Sequence, residues 1–193
     1  MNRRSAPSRQ VRIIGGQWKR TPLPVIDAEG LRPTPDRVRE TLFNWLGHDL
    51  GGWRCVDAFA GTGALGWEAA SRGASRVVMV EQNPELLQRL QATQTQLQAG
   101  TVSIQRGDAL AWLSRQMPGS ADVVFLDPPF DAPVFEEALR ASRQILSASG
   151  WIYLEAPHRW DAAALAALGL SEHRYLKAGA VHAHLLQVKE NEA

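Results

Sequence analysis

A chain of 193 residues, 45% apolar and 21% charged, has the balance of a folded domain with one sizeable core, which excludes a disordered or fibrous protein. The single Cys55 cannot close an internal disulfide, Met1-Asn2-Arg3-Arg4 leads into polar sequence rather than a secretory signal, and no apolar run is long enough to span a bilayer. A cytoplasmic monomer with no membrane partner is the expectation.

The formal net charge of +1 hides an asymmetry: residues 1–40 hold nine Arg or Lys against four acids, a balance of +5 that leaves −4 for the remainder. Such a distribution suits a chain whose leading part meets a polyanion such as nucleic acid, the alternative being a basic solvated tail. Residues 1–10 read as a flexible basic arm, 11–50 as an extension made of a hairpin and a helix, and 51–193 as the main α/β domain.

In the extension, Val11-Arg12-Ile13-Ile14-Gly15-Gly16 and Leu23-Pro24-Val25-Ile26 read as two short strands around Gln17-Trp18-Lys19-Arg20, a small basic hairpin. Arg12, Lys19 and Arg20 are candidates for phosphate contacts, and Trp18 for either a base stack or a lid on a small core. Thr34 is placed to cap a helix with Pro35 at its first position, and Val38, Leu42, Trp45 and Leu46 mark one face of it.

From Arg54 the chain alternates: strand 54–59, helix 63–72, strand 76–81, helix 84–99, strand 101–105, helix 108–116, strand 122–127, helix 133–147 and strand 151–155. This alternation predicts a parallel sheet covered by helices on both faces. Asn83-Pro84 opens a helix, Gly73 and Gly100 close helices, and Asp161 caps 162–168. Residues 171–177 and 181–188 form a closing hairpin through Gly179.

Chemistry gathers at the strand ends. Gly61, Gly63 and Gly66 join the first strand of the array to its first helix with the spacing of a nucleoside-cofactor turn, and Glu81 follows Gly61 by twenty residues at the next strand end, where a carboxylate can accept from ribose hydroxyls. Asp108, just past the third strand, can accept from an adenine amino group or simply cap a helix. The fourth strand empties into Asp127-Pro128-Pro129-Phe130. An acid, two prolines that keep backbone carbonyls out of a helix and an aromatic ring together suit a base-borne amino group, although Asp and Pro also make ordinary turns. The five histidines show no compelling ligand spacing, and His182 and His184 are expected to share a strand face.

The set Asp57-x-Phe59-x-Gly61-Thr62-Gly63-Ala64-Leu65-Gly66, Glu81, Gly107-Asp108 and Asp127-Pro128-Pro129-Phe130 resembles S-adenosylmethionine-dependent methyltransferases that modify an exocyclic nitrogen of a base. With Arg12-Ile13-Ile14-Gly15-Gly16, the run from Arg32 to Glu40 and the ending Lys177-x-Gly179, the chain is similar to the RsmD family of 16S rRNA guanine-N2 methyltransferases, of the guanine-966 type. The resemblance implies a Rossmann-like class I fold with a seven-stranded, mostly parallel sheet of order 3-2-1-4-5-7-6, strand seven antiparallel. It makes residues 51–193 the methyltransferase catalytic domain and the substrate a small-subunit rRNA guanine, within an assembling ribosomal particle.

The resemblance also implies catalytic roles for Asp127, Pro128, Pro129 and Phe130, with Asp127 and the Pro128 carbonyl as acceptors for the amino hydrogens and Phe130 as the stacking surface. Asp57, Phe59, Gly61, Gly63, Gly66, Glu81, Asp108 and Ala109 are then the cofactor set, with Thr34 and Arg37 closing over it. Arg12, Lys19, Arg20, Arg32 and Arg39 are the RNA-contacting set, and no metal is required. Trp67 stands where the family pattern implies a smaller aliphatic residue. Three other readings share parts of this pattern: a DNA adenine-N6 methyltransferase, a nicotinamide-dependent oxidoreductase and a non-catalytic RNA-binding module.

Overall fold

The computed structural model describes residues 11–24 and 35–189. A two-stranded antiparallel ribbon, β1 (Val11–Arg12) and β2 (Pro22–Leu23), comes first, followed by α1 (Asp36–Leu46). The alternating array then runs β3 (Arg54–Asp57), α2 (Ala64–Ser71), β4 (Arg76–Glu81), α3 (Pro84–Leu97), β5 (Val102–Arg106), α4 (Ala109–Leu113), β6 (Ala121–Leu126), α5 (Phe135–Ile145) and β7 (Leu146–Ala156). It closes with α6 (Ala162–Ala167) and the hairpin β8 (Leu170–Ala178) and β9 (Val181–Val188).

The seven-stranded sheet has the order β5-β4-β3-β6-β7-β9-β8. Numbered from β3, that is the 3-2-1-4-5-7-6 order that the resemblance implies, and β9 runs antiparallel to both β7 and β8. β3 pairs with β4 on one side and β6 on the other, all parallel, so the order reverses at β3. The carboxyl ends of β3, β4 and β6 therefore open on the crevice where ligands bind in sheets of this kind.

Val77–Val80 and Val123–Leu126 are buried on both faces of the sheet, and a strand enclosed on both sides must read as a continuous apolar run rather than an alternating one. Trp67, Met79, Leu90, Phe125 and Tyr153 fill one face, and Val124, Leu126, Leu139, Ile152 and Leu186 the other. Val11, Ile13 and Leu23 of the ribbon region and Val38, Leu42 and Phe43 of α1 join the first of these clusters. The extension at 11–50 thus shares its core with the sheet, and Trp18 packs against that core as a lid. Trp67 is fully enclosed beside Leu90, so the departure from the family pattern changes local packing.

A buried polar network ties the extension to α2. Glu68 is completely enclosed and accepts from the backbone N–H groups of Ile14 and Gly15, both at 2.7 Å, and from Arg72 Nε at 2.8 Å. Ser71 accepts from Trp18 N at 2.9 Å and donates to the Gly15 carbonyl at 2.6 Å. Arg39, expected to contact RNA, is instead fully buried: it donates to the Arg12 carbonyl at 3.0 Å and Asp36 at 2.6 Å and lies 3.8 Å from Glu68. A guanidinium can be enclosed only with such partners, and it then has no surface to offer a phosphate.

Several boundaries also differ from expectation. Pro35 occupies the cap position of α1, one residue before the helix rather than within it. Thr34 and Arg32 lie outside the described residues, as do the arm at 1–10 and Val25-Ile26. Helix α3 ends at Leu97 because Gln98 adopts the left-handed conformation (φ 50°) and donates to the carbonyls of Gln94 and Thr95, the role assigned to Gly100. Asn83 and Asp161 cap α3 and α6 as expected, accepting from Glu85 N and Leu86 N and from Ala164 N. Strand β7 begins at Leu146, which pairs with Ala121 ahead of a bulge, so α5 passes directly into the sheet.

Candidate functional site

An acid stands at or just past the carboxyl end of β3, β4, β5 and β6, and local geometry decides what each acid can do. Asp57 closes β3 and is 2% exposed. Its Oδ2 accepts from Gly66 N at 2.9 Å in the first turn of α2, which stitches strand to helix. Burial lifts its pKa to about 7 against the pull of that bond, and the charges of Glu81 and Glu155 raise it further. Asp57 has no ion-pair partner among the described residues.

Between Asp57 and α2, Gly61 and Gly63 both take positive φ (53° and 75°), and Gly63 N closes the turn on the Ala60 carbonyl at 2.6 Å. A Cβ on Gly63 would sit 2.5 Å from Trp67 Nε1 and 2.6 Å from Leu90 Cδ2. Gly66 is buried inside α2, where a Cβ would lie 2.5 Å from Met79 Cε. Gly66 thus lets α2 seat on the sheet and steadies Asp57. Phe59 is half-buried and packs against the second apolar cluster.

Glu81 ends β4 and braces the turn. Oε2 accepts from Gly61 N at 2.8 Å, and Oε1 accepts from Gln82 N and Asn83 N at 2.9 and 2.8 Å. A carboxylate has about four acceptor positions, so one further strong bond remains without displacing a backbone donor. Asp108 is the cap of α4 through Oδ1 and Ala111 N at 2.8 Å, while its Oδ2 takes no donor among the described residues. Both roles read for it in the sequence are therefore compatible, one oxygen each. Ala109, next to it, is buried at the start of α4.

The Asp127 corner stands beside this turn. Strands β3 and β6 are neighbours, with Asp57 paired to Phe125, and Ala58 N donates to the Phe125 carbonyl at 3.1 Å. Asp127 is half-buried, Pro128 buried, Pro129 exposed and Phe130 half-buried. The Pro129 carbonyl is taken by Ala132 N at 3.0 Å, which closes the corner as a turn and leaves the Pro128 carbonyl as the acceptor a ligand could use. Side chains two apart on a strand share a face, so Asp127 projects to the same side as Phe125, and Asp57 with it.

Glu155 was not anticipated in the sequence. It is 2% exposed near the end of β7, accepts from the Tyr153 hydroxyl at 2.8 Å, and raises the proton affinity of Asp57. The available signal was the one used elsewhere: an apolar strand, here Trp151–Leu154, running into an acid and then Pro157. Of the other expected residues, Arg37 is exposed on α1 with no side-chain partner among the described residues, and Arg12 is exposed beside Asp36 at 3.4 Å. Lys19 and Arg20 are exposed on the turn anchored to Ser71, at the far end of α2 from the glycine turn. A shallow depression lined by Arg143, Leu146 and Val188 lies at the opposite rim, apart from this set.

The donor set fits a cofactor carrying both an amino cation and a ribose. The fit rests on the chemistry of Asp57: a buried carboxyl without a cation, steadied by a single backbone N–H, is completed by a positively charged amino group. No helix among the described residues is long and apolar enough to cross a membrane.

The model of a family described as Conserved hypothetical protein 95 matches residues 11–187. Ribosomal RNA small subunit methyltransferase D of Escherichia coli is 44% identical over 149 residues, 77% of this chain and 73% of that protein. Its namesake in Haemophilus influenzae is 40% identical over 146 residues, 74% of each. Among solved structures, E. coli yhhF, described as a candidate methyltransferase, superimposes with a TM-score of 0.79 at 36% identity, covering 93% of this chain and 98% of that one.

Proposed function

From the premise that the chain belongs to the ribosomal RNA small subunit methyltransferase D (RsmD) family and is an rRNA methyltransferase, we propose that it methylates the exocyclic N2 of a guanine in small-subunit rRNA, with S-adenosylmethionine as donor. The observation that carries this reading is the adjacency of β3 and β6, which sets an acceptor corner built to hold an amino group beside a glycine turn built to hold a nucleoside.

When bound, S-adenosylmethionine supplies a methyl group on a sulfonium, displaced in line by an amine nitrogen as the positive charge on sulfur disappears. Asp57 would hold the amino cation of the methionine part, Glu81 a ribose hydroxyl and Asp108, through its Oδ2, the adenine amino group. Arg37 would close over them. Guanine N2 is a poor nucleophile because its lone pair is conjugated with the ring. The Asp127 carboxylate and the Pro128 carbonyl accept from the two amino hydrogens, which favours a pyramidal nitrogen and stabilises the charge it gains. Phe130 stacks on a base turned out of its strand, and the rigid Pro128-Pro129 pair holds ring and carbonyl in fixed relation. Asp127 would also receive the proton lost after transfer.

Lys19, Arg20 and Arg12 would contact phosphates and position the RNA without reading it. A monomer working in the cytoplasm on an assembling particle is the setting this reading implies. The test is incubation with labelled S-adenosylmethionine and either immature small subunits or duplex DNA, followed by mass spectrometry of the modified nucleoside. N2-methylguanine in small-subunit rRNA is expected; label confined to DNA adenine, or to an rRNA nucleoside other than N2-methylguanine, would overturn the assignment.

A further inference from the structure

The loop after β7 and the tip of the β8–β9 hairpin share the rim on which the Asp127 corner lies. Strand β7 is the parallel neighbour of β6, with Leu126 paired to Leu154, so the loop Pro157-His158-Arg159-Trp160 leaves the sheet one strand away from the loop 127–130. Strand β9 runs the other way, which brings its start to the same rim: Ala156 pairs with His182, and His182 in turn with Lys177 of β8.

Cations and rings interleave on this surface. Arg159 lies over the Tyr175 ring at 4.2 Å and pairs with Glu172 at 2.8 Å. His158 stacks on Trp160 with an interplanar angle of 20°, and the Tyr175 hydroxyl bonds His182 Nδ1 at 2.8 Å. Glu172, the acid within the cluster, is already engaged by both Arg159 and His184. His158, Arg159 and Lys177 are exposed, and Lys177 has no ion-pair partner among the described residues. By contrast the β1–β2 tip, with Lys19 and Arg20, is anchored at Ser71, about 11 Å along α2 from the glycine turn at 1.5 Å per residue.

We propose that His158, Arg159 and Lys177, with the rings of Tyr175 and Trp160 beneath them, form a second RNA-contacting surface that grips the strand next to the extruded guanine. This rests on the rRNA reading of the preceding subsection. A guanidinium over an aromatic ring, with exposed His158 and Lys177 on the same rim, suits phosphates and unstacked bases, the two features single-stranded RNA presents. The proton affinity of His182 is lowered by burial and then by the charges of Lys177, His158 and Arg159, so the surface already carries a positive potential that a phosphate would relieve.

The test uses the full chain and immature small-subunit particles. Lys177→Glu combined with His158→Ala is expected to raise KM for the particle about tenfold and to flatten the salt dependence of binding by about one unit in log–log slope, with kcat little changed. Affinity for S-adenosylhomocysteine by calorimetry should be unaltered, which also shows that the variant is folded, and Lys177→Arg should restore most of the loss. Arg143→Glu, on the opposite rim, controls for charge alone. An unchanged KM in the double variant, or an equal loss in the Arg143 control, overturns this proposal while wild-type activity leaves the rRNA reading intact; a wild-type protein that never modifies rRNA sinks both.

Discussion

Glu68→Ala removes the carboxylate that holds the N-terminal extension on α2, and its cost can be worked from the contacts. Two backbone donors, Ile14 N and Gly15 N, lose their acceptor, and Arg39, fully buried, keeps Asp36 and the Arg12 carbonyl but no enclosed counter-charge. Each stranded donor costs about 1–3 kcal/mol, and breaking a buried ion pair about 3–5 kcal/mol. The low ends of these terms sum to about 5 kcal/mol, and relaxation of the part-exposed Gly15–Gly16 turn keeps the cost near that end, against a typical total of about 5–15 kcal/mol. Urea denaturation measures it, and hydrogen exchange at Ile14 and Gly15 locates it. Arg39→Met with Glu68→Leu should recover only the share due to the uncompensated Arg39 charge, because the Ile14 and Gly15 amides stay without an acceptor. A Glu68→Ala protein within about 1 kcal/mol of wild type, with both amides still protected, would refute the view that this carboxylate anchors the extension.

Other expectations follow from the site. Because burial raises the folded pKa of Asp57 from 3.8 to about 7, the folded state holds an extra proton between those values. Its contribution is full below the unfolded value and is lost as pH rises through about 7, by at most about 4 kcal/mol; the stability–pH curve of Asp57→Asn minus wild type should show that step, and parallel curves would contradict it. By the same logic S-adenosylhomocysteine should bind more weakly as pH falls below about 7, a trend that calorimetry on Asp57→Asn should abolish. Asp127→Ala should lower kcat for methyl transfer by about 10²–10³-fold with RNA affinity nearly unchanged; undiminished turnover would make the acceptor irrelevant. Gly63→Ala combines a left-handed backbone with contacts of 2.5 and 2.6 Å, so about 3 kcal/mol is the expected loss by thermal or urea unfolding.

The order and kind of the elements were legible in the chain because local signals determine them: apolar runs too short for helices, Asn83-Pro84 and Asp161 at helix starts, and glycines at the turns. The acids Asp57, Glu81, Asp108 and Asp127 could be assigned to one rim without coordinates, since a parallel array puts every strand end on the same edge. What each acid does there could not be read, because hydrogen-bond capacity depends on which backbone N–H groups fold against it. Glu81 spends three acceptor positions on backbone N–H groups, and Gly66 leaves no room for a side chain against Met79 while donating to Asp57.

Charge was the least legible property. Arg39 and Arg12 lie in one basic run of sequence, yet one is enclosed with Asp36 and Glu68 while the other stands in solvent, because helix α1 turns one face to the core whatever the residue there. His182 of the last hairpin, unremarkable as spacing, joins Lys177 on the rim of the Asp127 corner only because β9 reverses and sets it beside Ala156. Local interactions, which act between residues near in sequence, determined the elements and the edge that carries the chemistry. The fate of each charge was decided by partners more than fifty residues away in some cases, such as Glu68 for Ile14, and only the packed chain brings those together.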